Sequence, residues 1–300
     1  MTLVPFDDRD GVIWMDGAMV PWRDARLHVL SHGLHYASGV FEGERSYAGN
    51  IFKLREHTDR LIRSAGILGM TIPFSADEID AASQAVLAAN GLVDGYIRPL
   101  AWRGSEQLSV SAQQTKIHLA IACWAWPNLF GADRMKGVRL GMAPWKRPHP
   151  ETAPTASKAA GLYMIGTLSK HAAEAAGFND ALMLDWRGQV AEATGANIFL
   201  VIDGEVHTPT PDCFLDGITR RTVMRIARGH QMKVVERAIP VTDLARASEV
   251  FLAGTAAEVT PVREIDGKIY TPGPITETLL RDYEALVRMA PGEVARRQAA

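Results

Sequence analysis

Three dipeptide turns constrain the fold of this chain more than any other feature. Asp16-Gly17, Arg187-Gly188 and Asp203-Gly204 each divide two short runs rich in apolar residues. Pairs of this kind accept the positive φ that a tight hairpin demands. Residues 12–22, 181–193 and 197–208 therefore read as antiparallel hairpins. Further strands are expected at GYIRPLAWRG, KIHLAIACWAW, KVVERAI and EVFLAG.

Helices fill the space between them. Residues 54–68 carry small and apolar side chains along one face, with Arg55, Arg60 and Arg63 on the other. SADEIDAASQAVLAANG opens on Ser75 with Glu78 three positions later, a capping box, and ends at Asn90-Gly91. Residues 163–177, 218–230 and 275–289 complete the helical set. Hairpins outnumber βαβ repeats, so the fold class is α+β rather than a doubly wound α/β sheet. PNLFGADRMKG is polar and aperiodic, and it marks an interdomain connection at residues 127–137. A small N-terminal domain over 1–126 and a larger C-terminal domain over 138–300 follow.

Composition narrows the function. The 300 residues carry a formal net charge of -2, and 47% are hydrophobic. This excludes the strong basic bias of a nucleic-acid or anionic-membrane partner. Cys123 and Cys213 are too far apart for a chelating motif and too few for a disulfide framework. The start, MTLVPFDDRDG, is acidic and lacks the apolar stretch of a secretory leader. No run reaches the ~20 apolar residues of a membrane span. The expectation is a cytoplasmic protein. His28, His32 and His35 have metal-like spacing, but no carboxylate or cysteine accompanies them, so no metal is expected.

Candidate chemistry lies in three places. Lys158 stands in TAPTASKAAGLY, where small neighbours leave room for a bulky adduct. Gly217 precedes a helix start at Ile218 and Thr219, whose free amides and hydroxyl suit a phosphate. GTAAE, at 254–258, offers a second anion-binding turn after a buried strand.

Together these segments resemble the class IV pyridoxal-phosphate aminotransferases, and within them the branched-chain-amino-acid subgroup. Glu192, Thr194, Asn197, Ile198, Phe199, Val206, Thr208, Leu215, Gly217, Ile218 and Arg220 fill every slot of the family signature. HVLSHGLHYASGVFEGERSY, LREHTDRL, YIRPL, APTASKAAGLY and GTAAEVTPV extend the likeness from Trp14 to Val262. The resemblance implies a fold-type-IV enzyme with pyridoxal 5'-phosphate as cofactor. It also implies a homodimer or higher homo-oligomer, with the active site between the domains and at the subunit interface.

The roles that the resemblance carries over are these. Lys158 holds the cofactor covalently and shuttles the substrate proton. Glu192 faces the pyridine nitrogen, and Tyr163 bonds the phenolic oxygen. Arg60, Ile218, Thr219 and Thr255 form the phosphate cup. Tyr96 and the amides of Thr255 and Ala256 clamp the α-carboxylate. Arg98 and Tyr36 receive the distal carboxylate of glutamate, while Phe41, Trp126, Leu108 and Val110 line the side-chain pocket. The implied reaction is ping-pong transfer of the amino group of leucine, isoleucine or valine to 2-oxoglutarate. The alternatives within the family are D-amino-acid or (R)-amine transamination and, less close, aminodeoxychorismate lysis. Glu44, Leu129 and Leu108-Ser109-Val110 depart from the usual branched-chain pattern and bear on substrate range.

Overall fold

The computed structural model describes residues 4–126 and 131–289. The chain divides into two compact units. The first holds residues 1–127 together with 157–161, and the second holds 128–156 together with 162–300. The short segment bearing Lys158 therefore belongs to the first unit, although the sequence around it belongs to the second.

In the first unit the elements run β1 (Val12–Met15), β2 (Ala18–Pro21), α1 (His32–Tyr36), β3 (Gly39–Phe41), β4 (Glu44–Tyr47) and β5 (Asn50–Ile51). They continue with α2 (Leu54–Ile67), α3 (Ala76–Ala89), β6 (Gly95–Arg103) and β7 (Ile117–Ala125). Among the described residues the strands form a seven-stranded antiparallel sheet in the order β2-β1-β7-β6-β4-β5, with β3 also on β6. Asp16 and Gly17 both take positive φ, as the hairpin reading requires. The Ser75–Glu78 capping box is present at the start of α3, and Gly91 takes a positive φ just past its end. Ile79, Ala82 and Val86 of α3 and Leu61 and Ala65 of α2 pack on Ile97, Ala101, Leu119 and Ile121 of the sheet.

Arg60 of α2 is buried. The reason is a buried carboxylate, Glu42, in the β3–β4 connection, which pairs with it.

The second unit runs β8 (Val138–Met142), α4 (Met164–Ala175), β9 (Asp180–Leu184), β10 (Val190–Ala193), β11 (Asn197–Ile202) and β12 (Glu205–Pro209). After these come α5 (Ile218–Gly229), β13 (Val234–Arg237), β14 (Glu249–Gly254), β15 (Glu258–Ile265), β16 (Lys268–Ile269) and α6 (Pro274–Val287). Its sheet has nine strands among the described residues, in the order β10-β9-β8-β15-β14-β11-β12-β13, with β16 on β15. Because β10 also pairs with β11, six of these strands close on themselves. The closure rests on one pair, Glu192 opposite Asn197, and it sets Glu192 at the seam. Leu140, Leu182, Ile198, Leu200, Val250, Leu252 and Val262 fill the core. The segment β12-α5-β13 is a parallel crossover, and Arg220 of α5 is buried beneath it on Thr208, Pro209, Asp216 and Glu236.

Part of the expected connection at 127–137 is a short 3-10 turn over Gly131–Lys136; Leu129 lies outside the described residues. No helix among the described residues is long and apolar enough to cross a membrane.

Candidate active site

In the first unit, Lys158 is held by its backbone. Its N–H donates to Ser64 Oγ at 3.0 Å, and its carbonyl accepts from Phe41 N–H at 3.2 Å. Val40 and Ala159 form an antiparallel bridge, so the segment lies along β3 like a short extra strand. Ser157 Oγ donates to the Ser64 carbonyl, and Ser157 and Ala159 are both buried. Small residues are thus needed for close approach to β3 and α2. They leave the Lys158 Nζ 4.9 Å from the centre of the Phe41 ring.

Phe41 also carries the Arg98 guanidinium, 4.7 Å from its ring centre. Arg98 Nη2 donates to Tyr96 Oη at 3.2 Å, and Arg98 Nε is buried without a hydrogen-bond partner among the described residues. Tyr96 stacks on Trp124 and packs against Trp126 at 4.9 Å. Gly43 is required beside it, because a Cβ there would overlap the Tyr96 hydroxyl. Phe41, Tyr96, Arg98, Trp126 and Lys158 are thereby linked through their ring and hydrogen-bond contacts.

Tyr36, and the loop in which Leu108 and Val110 flank Ser109, both meet His32. The His32 ring stacks on Tyr36 at 4.6 Å, and its Nε2 meets the Ser109 carbonyl at 2.9 Å. Val110 is 87% exposed and Tyr36 46% exposed. No hydrogen bond joins Tyr36 to Arg98 among the described residues.

Next to Lys158, α2 presents a charged cluster in which Arg60 was expected from the sequence and its partners Glu42 and His57 were not. Glu42 is fully buried. Arg60 donates to both of its oxygens, through Nε at 2.6 Å and Nη2 at 2.8 Å, and His57 Nδ1 lies 2.7 Å from Oε2. Burial pushes the Glu42 carboxyl up, but the charge and hydrogen bonds of Arg60, with those of His57, outweigh it and hold the group well below the usual range. His57 goes the other way. Burial lowers it more than Glu42 raises it, and the Arg60 and Lys158 charges add to the lowering. Glu44, two residues on, is buried with neither oxygen hydrogen-bonded among the described residues. Burial raises its pKa well above 4.5, and the Glu42 and Asp80 charges raise it further against Arg60. The sequence signal for this cluster was slight: an acid beside a glycine in FEGERSY reads as a solvated turn.

In the second unit, Glu192 is the centre. Asn197 Nδ2 donates to its Oε2 at 3.3 Å and to the Leu215 carbonyl at 3.0 Å. Asn197 thus ties Glu192 to the turn that opens α5. Gly217 caps that helix with no side-chain bond, and its missing Cβ is filled by Asn197 Oδ1. The unpaired first-turn amides and the Thr219 hydroxyl follow directly. Asn197 also sits opposite Ala253, so the 254–257 turn with Thr255 and Ala256 emerges beside it. Gly254 approaches Ala196 closely there. Arg147, unassigned from sequence, places its buried Nε 3.4 Å from Glu192 Oε1, and its Nη1 donates to the Leu162 carbonyl. Tyr163 follows Leu162 and caps α4.

This unit therefore assembles a carboxylate, an arginine, an unblocked helix start and two threonines, a donor set suited to a phosphorylated heterocycle. Comparison with known proteins agrees in kind. The profile of the family described as amino-transferase class IV matches residues 39–265. A branched-chain-amino-acid aminotransferase of Pseudomonas aeruginosa is 44% identical over 288 residues, covering 93% of this chain and 94% of its own. Among solved structures, the branched-chain aminotransferase of Thermoproteus uzoniensis, solved with norvaline, overlays with a TM-score of 0.91 at 37% identity. That overlay covers 95% of this chain and 97% of the other. The branched-chain amino acid aminotransferase of Escherichia coli gives a TM-score of 0.89 at 35% identity, with coverage of 94% and 97%. With its signature residues gathered at Glu192 and α5, and with matches that span nearly its whole length, the chain belongs to the class IV aminotransferases.

Proposed function

We propose that this chain is a branched-chain-amino-acid aminotransferase that uses pyridoxal 5'-phosphate to move the amino group of leucine, isoleucine or valine to 2-oxoglutarate by a ping-pong route. The observation that carries the reading is the constellation of Glu192, Asn197 and the α5 start. Its donor set fits the cofactor: a carboxylate for a pyridinium, and amides with hydroxyls for a phosphate dianion. Bound there, the cofactor supplies a sink for the electron pair of a breaking Cα–H bond.

The protein's own residues do the rest. The Lys158 amine attaches the cofactor and, once released, carries the proton between the substrate Cα and the cofactor C4′. Glu192 keeps the pyridine nitrogen protonated, because a fixed negative charge favours the charged ring. Tyr163 bonds the phenolic oxygen. Arg60, Ile218, Thr219 and Thr255 hold the phosphate. Tyr96, with the Thr255 and Ala256 amides, holds the α-carboxylate. Phe41, Trp126, Leu108 and Val110 form the apolar pocket, and Arg98 and Tyr36 receive the distal carboxylate of glutamate. An apolar pocket with polar groups at its edge accounts for one site taking both leucine and glutamate. The reading includes a homodimer or larger homo-oligomer in the cytoplasm, and domains over 1–126 and 138–300 joined by 127–137.

The attachment is tested by spectroscopy and mass measurement. Purified protein should show an absorbance band near the visible edge that borohydride abolishes, and digestion should then find the cofactor's mass on Lys158. The same mass on another lysine, or on none, would overturn the assignment.

A further inference from the structure

Glu42 is fixed from every side. Its N–H donates to the Pro99 carbonyl at 2.9 Å, which pins its backbone to β6. Its two oxygens take the Arg60 fork, and one also takes His57 Nδ1. His57 and Arg60 lie three positions apart on α2, so they meet the same carboxylate from one helix face. Because burial favours the neutral imidazole, His57 adds a hydrogen bond without adding charge. The result is a bidentate pair, the geometry that holds a guanidinium in one plane.

Two effects of such a carboxylate oppose each other. Its negative charge offsets that of Arg60 and repels a nearby dianion. Its two acceptors fix the guanidinium in orientation, so that the ordering cost is met before any ligand arrives. A buried pair already ordered at 2.6 and 2.8 Å favours the second effect.

We propose that Glu42 is a positioning residue for phosphate recognition: it aligns Arg60 toward the cofactor's phosphate, with His57 holding Glu42 in turn. This rests on the reading that Arg60 contacts that phosphate. Glu42 itself touches neither cofactor nor substrate in this account.

The test compares two ligands that differ only in the phosphate. Cofactor-stripped full-length protein is titrated with pyridoxal 5'-phosphate and with pyridoxal, following the absorbance of the lysine adduct. Glu42→Gln should weaken binding of the phosphorylated ligand on the order of tenfold, the scale of one charge-assisted hydrogen bond, and leave pyridoxal unchanged. Glu42→Asp, which keeps the charge but shortens the reach, should show the same selective loss and decides the matter if the glutamine variant fails to fold. Equal loss with both ligands would mean a structural role and overturn the proposal. Unchanged or tighter binding of the phosphorylated ligand would mean that charge outweighs orientation, and would overturn it too. Arg60→Lys is the separate control. If it leaves the preference for the phosphorylated ligand intact, the assignment of Arg60 fails and this inference with it. If it removes the preference while neither Glu42 variant does, Arg60 stands and only the role of Glu42 falls.

Discussion

At the scale of single residues, Glu44 and Arg98 are the side chains whose surroundings say most. Glu44 is wholly buried with both oxygens unbonded among the described residues, and its folded pKa lies well above the ordinary 4.5. A raised folded value means stability that is complete below 4.5 and is lost as pH rises toward the folded value. Each pH unit in that window costs the native state about 1.4 kcal/mol per proton. Glu44→Gln should therefore melt at the same temperature as the parent near pH 4 and at a higher one at pH 8. Thermal melts across that range check it, and a gap that does not change with pH would show that Glu44 titrates alike in the folded and unfolded chain. Arg98 makes a different kind of statement. Its bond to Tyr96 and its place over Phe41 put a cation in an otherwise aromatic setting. Arg98→Leu should weaken the glutamate half-reaction by ~10- to 150-fold, the worth of a hydrogen bond to a charged group of ~1.5–3 kcal/mol. The leucine half-reaction should fall less, through Tyr96. Single-turnover spectra measure the two separately, and equal losses would move Arg98 to the α-carboxylate.

At the scale of elements, the start of α5 concentrates the constraints. Gly217 has φ -64°, so alanine would suit the backbone there. The obstacle is Asn197 Oδ1, which fills the space of the missing Cβ. Gly217→Ala should displace Asn197 and with it the tie to Glu192. The expected cost is ~1–3 kcal/mol of stability, as for other overpacked sites, together with weaker cofactor binding, measured by melts and by titration. A variant with both intact would show that the turn can yield. The hairpins at Asp16-Gly17 and Asp203-Gly204, the capping box at Ser75 and the helix start at Ile218 were all legible in the sequence, because each is decided within a few residues. The β4–β5 hairpin at Ala48-Gly49 and the strands β8 and β15 were not. The first is a local pairing that turns on Ala48, a non-glycine residue held at positive φ, whereas β8 lies between β9 and β15, partners far along the chain. The ion pair of Arg60 was not legible either, since its partner Glu42 lies 18 residues away and outside the helix. Arg147, 45 residues before Glu192, was invisible to any local pattern.

At the scale of the whole molecule, the exposed apolar groups around His32 bear on assembly. Val29, Leu30, Leu34, Tyr36, Leu108 and Val110 are all exposed in one chain. Exposed apolar groups are the kind of surface that assembly buries, and the proposed homodimer is checked by light scattering on a sizing column. Val110→Glu should shift it toward the monomer, and an unchanged mass would place the interface elsewhere. The activity of that assembly is the central claim, and a panel of amino donors offered with 2-oxoglutarate tests it most directly. The account predicts turnover with L-leucine, L-isoleucine and L-valine, each forming glutamate, and negligible turnover with D-alanine or an (R)-amine. Turnover with D-alanine or the amine, and none with L-leucine, would contradict it.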